Sequence, residues 1–182
     1  MTTILRAERV DFQIAPGVFI EFYRLPNGEK RIGLTSAAIV CGHKKNYFSR
    51  LQSATPKQLE ALRGKGFDGY TVPVMIERAS AGGKGSARSE TLSLDDFRAF
   101  VRFSAFDLMK PPAMAIADAM IGIGIETLAR QAFGEVALTL AEVRAIICTE
   151  YAKTLNWLEE DRADADEIES QQIFIQRGYW PA

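Results

Sequence analysis

Three groups of side chains in this sequence have types and spacings suited to chemistry. Cys41 and His43, a thiol and the only histidine of the chain, stand two residues apart across Gly42, as a thiolate nucleophile and its base would. No acid lies near them in sequence to orient the imidazole, so the pair reads as core, not as a catalytic centre. Glu159, Glu160, Asp161, Asp164, Asp166 and Glu167 concentrate carboxylates that a divalent cation would accept. No glycine sits among them as an Asp-rich calcium loop requires, and the run reads as a solvated helix end. The third group is Lys44, Lys45, Asn46, Ser49 and Arg50, whose donors suit phosphate oxygens and base edges.

Nucleotide motifs fail on inspection. Lys84 of "AGGKGSARSE" precedes Gly85 where a phosphate-binding loop needs Ser or Thr, and "GIGIET" from Gly122 lacks the third glycine of a dinucleotide fingerprint. No catalytic residue, metal or cofactor is expected, and the chain is not read as an enzyme.

Charge separates the two ends of the chain. Residues 28–66 carry eight bases against two acids, a local net of +6, while residues 91–182 carry fifteen acids against eight bases, a net of −7. A basic segment displaces counterions from a phosphate backbone, whereas an acidic one repels it. This asymmetry predicts DNA as a partner of the first part, and a basic protein as a candidate partner of the second.

The elements that must hold the basic group follow from period and punctuation. "RVDFQIAPGVFIEFYRLPNGEKRIGL" alternates β-branched and aromatic residues around Pro16-Gly17 and Asn27-Gly28, which predicts a meander of two or three strands. Thr35 or Ser36 then caps a short helix that Gly42 ends in the left-handed conformation. Lys44 to Leu51 reads as a second short helix, burying Tyr47, Phe48 and Leu51 and leaving the basic and amide side chains to solvent. Together they follow the helix-turn-helix recipe. "TPKQLEALRGKGF" supplies a third helix starting at Pro56, and "GYTVPVMIE" a strand whose Pro73 predicts an edge position. Across the loop carrying Lys84 and Arg88, "TLSL" completes a wing-like hairpin.

From Ser93, capped with Asp96, the chain turns helical until Pro111-Pro112. A small-residue-rich helix runs from about Ala113 to Phe133, with Gly122 and Gly124 assigned to close helix–helix approach. A capping box of Thr139 and Glu142 opens a long helix to about Arg162. The predicted fold class is α+β. Residues 1–92 form a hairpin-flanked helix-turn-helix lobe, and residues 93–182 an antiparallel helical lobe that pairs the chain as a homodimer. "IFIQRGYW" alternates as a strand and is assigned to the same interface. Two isolated cysteines, Cys41 and Cys148, fit reduced thiols in a cytoplasm. No membrane span is expected, because Asp118 breaks the longest apolar run.

"LPNGEKRIGLTSAAIVCGHKKNYFSRL" followed by a strand pair and a helix resembles the N-terminal DNA-binding domains of phage antirepressor-like proteins of the Bro and KilA type. The likeness covers roughly residues 10–100, with "CG" where those domains carry "LG". It implies a regulatory, phage-related DNA-binding protein in which Lys44, Lys45, Asn46, Tyr47, Ser49 and Arg50 line the nucleic-acid face. Lys30, Arg31, Lys57, Lys84 and Arg88 are assigned as flanking phosphate contacts, and Asn46 as the reader of an adenine edge.

Overall fold

A computed structural model describes residues 5–15, 17–54, 56–77 and 86–153. The N-terminal meander forms β2 (Glu8–Ala15), β3 (Val18–Arg24) and β4 (Lys30–Gly33), preceded by β1 (Leu5–Arg6). Gly28 closes the β3–β4 turn through its N–H to the Leu25 carbonyl, as the Asn-Gly signal predicts. Then come α1 (Leu34–Val40), α2 (Tyr47–Ala54), α3 (Pro56–Arg63), β5 (Val72–Glu77) and β6 (Ser86–Ser93). The helical part comprises α4 (Leu94–Arg102), a π-helical turn over Phe103–Asp107, α5 (Pro111–Ala132) and α6 over residues 140–153. The fold is α+β.

All six strands join one mixed sheet in the order β1-β5-β6-β4-β3-β2. β1 and β2 stand at opposite ends of this order, yet only Ala7 separates them in the chain. Two Cα steps of about 3.8 Å cannot cross an open sheet that is roughly 24 Å wide at the usual strand spacing. The sheet therefore curls until its end strands adjoin through Ala7, whose N–H extends the β1–β5 ladder to the Met75 carbonyl at 3.0 Å.

Curling gives every strand an inner and an outer face, and the period of two sorts the residues between them. Inside lie Tyr23, Leu25 and Val74, with Leu5, Ala7, Val72 and Ile76 packed against them. Outside, Ile14, Ile20, Ile32 and Leu92 meet Phe97 and Phe100 of α4 and Ala37 and Val40 of α1 in the main core.

This arrangement corrects several expectations. The β5–β6 hairpin is no wing, because β6 pairs with β4 in the middle of the sheet. Pro73 lies one strand in from the end of that order, outside the two-residue pairing of β1 with β5. The lobe boundary at residue 92 also dissolves: β6 enters α4 at Ser93 without a linker, and one core cluster runs from Ile14 to Tyr151. α1 and α4 cover the outer face of the sheet, and α5 packs on α4 and the π-helical turn, which joins both halves in one layer of core.

Caps follow the local signals more closely. Ser93 Oγ accepts from the Asp96 N–H at 3.0 Å, and Thr139 and Glu142 close their box with bonds of 2.8 and 3.3 Å. At the end of α1, Gly42 takes φ +77°, with its N–H on the Ile39 carbonyl and the His43 N–H on that of Ala38. This is the six-to-one closure that glycine favours. The start of α1 differs, because Gly33 is its N-cap and the Ser36 hydroxyl instead donates to the Gly33 carbonyl.

Candidate nucleic-acid interface

Residues 41–46 form the corner between α1 and α2, and aromatic packing clamps that corner to the core. The His43 ring lies 4.1 Å from Tyr47 and 5.2 Å from Phe100, centroid to centroid. Phe48 adds contacts to Phe100 at 4.6 Å and to Phe67 at 6.2 Å. With Leu51 buried beneath, one side of α2 is fixed. Its tilt against the sheet is set by ring packing, because a helix of two turns has little stability of its own.

The opposite side faces solvent, where Lys44, Lys45, Asn46, Ser49 and Arg50 are all exposed. Lys44 and Lys45 form no ion pair with any described residue. α2 starts at Tyr47, three residues later than the sequence predicts. Lys44, Lys45 and Asn46 thus belong to the turn ahead of it, with the Tyr47 N–H on the Lys44 carbonyl at 2.9 Å. The Asn46 carbonyl accepts from the Arg50 N–H at 3.3 Å and from the Ser49 hydroxyl at 2.8 Å, while its side-chain amide stays free. Two lysines and an amide therefore stand at the positive end of a helix dipole, an arrangement that adds to their attraction for anions.

The other expected contacts divide. Lys57 is exposed at the start of α3. Lys30 opens β4 opposite Arg24, on the sheet and not on the corner. Arg88 is exposed on β6 and paired with Glu90 at 3.1 Å. Lys84 lies outside the described residues, as do the acidic run 159–167 and the segment "IFIQRGYW".

Arg31 and Tyr47 are corrections. Arg31 is only 3% exposed inside the curled sheet, where its guanidinium donates to Thr91 Oγ1 at 3.0 Å and to the carbonyls of Tyr70 and Thr91 at 2.9 and 3.2 Å, and pairs with Glu29. Four of its five donors are taken up by these acceptors, and a guanidinium so buried does not reach a phosphate. The Tyr47 ring belongs to the aromatic cluster, and its hydroxyl donates to Gln58 Oε1 at 3.5 Å.

No protein family, curated protein or solved structure matches the chain.

Cys41 and His43 do not come together as nucleophile and base. Burial pushes the Cys41 thiol well above its ordinary pKa, and a thiol held neutral is a poor nucleophile. His43 turns its Nε2 to Ser104 Oγ at 2.9 Å. No group of three or more potential metal ligands occurs among the described residues.

Two further features carry no sequence motif. A cleft of about 230 Å³ opens between α2 and α3, walled by Phe48, Leu59 and Phe67 with Arg63 and Asp68 among its lining residues. Inside the curled sheet, Glu21 receives the Tyr23 hydroxyl at 3.0 Å and Arg9 at 2.9 Å. The alternation of "VFIEFYR" carries the second signal, since Glu21 and Tyr23 share one face while Ile20 and Phe22 share the other.

Proposed function

We propose that this chain binds DNA through the exposed corner of Lys44, Lys45 and Asn46 together with Ser49 and Arg50 of α2. The observation that carries the reading is the two-sidedness of this segment: aromatic rings clamp one side to the core, and cations and amide donors occupy the other. A clamped helix loses little freedom on binding, which favours affinity per contact. Lys57 and Lys30 supply flanking charge, and Arg88 does so once released from Glu90. The resemblance of residues 10–100 to phage antirepressor domains points the same way and supports a regulatory role.

Mobility shifts with random duplex pools at low and moderate salt test the reading. Binding that weakens steeply with salt is the expected result, and silence at low salt ends it. The acid excess of residues 91–182 favours a second reading, an adaptor that binds a basic protein without nucleic acid. That adaptor would pass through a DNA column unretained at low salt.

A further inference from the structure

We propose that two copies of this chain pair through the distal half of α5, antiparallel about a two-fold axis near Gly124, with Leu128 of each copy seated in an apolar groove of the other. This rests on the packing of α5 and is independent of the DNA reading.

α5 is divided along its length. Ala113, Ala115, Ile116, Ala117 and Ala119 are buried in the core, whereas Ile121, Ile125 and Leu128 are exposed at 55, 64 and 68%. Those three stand at i, i+4 and i+7, one face of a helix. The opposite side is already engaged: Arg130 pairs with Glu126 at 2.9 Å and with Glu142 of α6 at 3.0 Å, and Ile123 packs on the core. Beside the exposed stripe, Phe97, Val101, Phe106, Ile116, Met120 and Ile121 wall a groove of about 480 Å³. A knob row and a hole on one surface are the elements of a self-complementary contact.

The spacing closes on itself. Leu128 and Met120 each lie four residues from Gly124, about 6 Å along the axis, so a two-fold at Gly124 sets Leu128 of one copy level with Met120 of the other. A Cβ on Gly122 or Gly124 would meet nothing within 4 Å. Among the described residues no close approach uses these glycines, and Gly124, on one helical row with Met120 and Leu128, leaves room for a second backbone.

Area favours a second copy as the occupant. Met120, Ile121, Ile125, Leu128 and Phe106 are each 44–68% exposed. Together with the groove they present on the order of 500 Å² of surface, the larger part of the ~800 Å² that each partner brings to a standard interface. A lipid bilayer fits less well, although α5 is long and apolar enough to cross one by length and composition. Its first half is held in the core, and residues 120–132 rise only about 20 Å against a hydrocarbon thickness of ~30 Å.

Light scattering on the full chain tests this, with Leu128→Asp beside it and circular dichroism as the control for folding. The full chain is expected at twice its 20.2 kDa mass and Leu128→Asp at that mass itself, with an unchanged spectrum. Gly124→Cys in a Cys148→Ser background should oxidise to a covalent dimer, because a residue on the axis meets its own copy. This variant decides the matter should Leu128→Asp misfold. A monomeric full chain overturns the proposal, whatever covers the stripe. A dimer that survives Leu128→Asp and gives no cross-link at residue 124 overturns it in favour of another interface. Flotation of the full chain with phosphatidylcholine vesicles, lost in Leu128→Asp, overturns it in favour of lipid.

Discussion

The imidazole Nε2 of His43 lies 2.9 Å from Ser104 Oγ and joins the corner ahead of α2 to the π-helical turn after α4. Burial, followed by the positive charge of Lys110, lowers the imidazole pKa from 6.5 to about 4. Between these values the unfolded chain binds a proton that the folded chain refuses. The stability that His43 contributes is therefore complete above 6.5 and is lost as pH falls toward 4. Thermal melts across that window should show a falling midpoint for the wild type and a flatter one for His43→Gln. Equal slopes would assign the acid sensitivity to carboxylates instead.

Lys44→Ala and Lys45→Ala should weaken DNA binding for every duplex sequence. Each lost phosphate contact should flatten the dependence of log affinity on log salt by about 0.9. Titrations at several salt concentrations measure the slope. Unchanged slopes would place both lysines on a surface that DNA does not touch.

Asn46→Ala separates reading from folding, because only the main-chain carbonyl of Asn46 is used in the fold. The melting temperature should hold. Preference at one adenine should relax by about 1–3 kcal/mol, with nonspecific affinity intact. Selection from a randomised duplex pool compares the two proteins, and an unaltered preference would remove Asn46 as a reader.

Arg31→Met should cost about 3–5 kcal/mol in urea unfolding, because the Tyr70 and Thr91 carbonyls and the Glu29 carboxylate lose a buried partner. Arg31→Lys should recover little, since an ammonium cannot reproduce the planar fork that reaches Thr91 and Tyr70 at once. A loss below about 1 kcal/mol would mean that the curled sheet repacks readily without the guanidinium.

Much of the helical part was legible because its signals act over a few residues. Ser93 with Asp96, Thr139 with Glu142, and Gly42 after α1 each satisfy backbone groups within one turn, so their meaning does not depend on what lies across the molecule. The same holds for the two sides of α2, which follow from helical spacing alone. The helix start at Tyr47 was less legible. Lys44 to Asn46 are compatible with helix, and it is the packing of His43 against Tyr47 and Phe100 that turns them into a corner.

The sequence by itself determined the α+β class, the order of strands and helices from β2 onward, and the solvent side of the basic segment, because period and capping are local. Only the tertiary structure decided that the strands curl into one sheet whose end strands adjoin, that Arg31 belongs inside it, and that one core runs through both halves of the chain. Its reason is non-local: Ala7 meets Met75, and Arg31 meets Thr91 sixty residues away. An arginine in a basic run is read as a surface charge until a strand from far along the chain brings the acceptors that bury it.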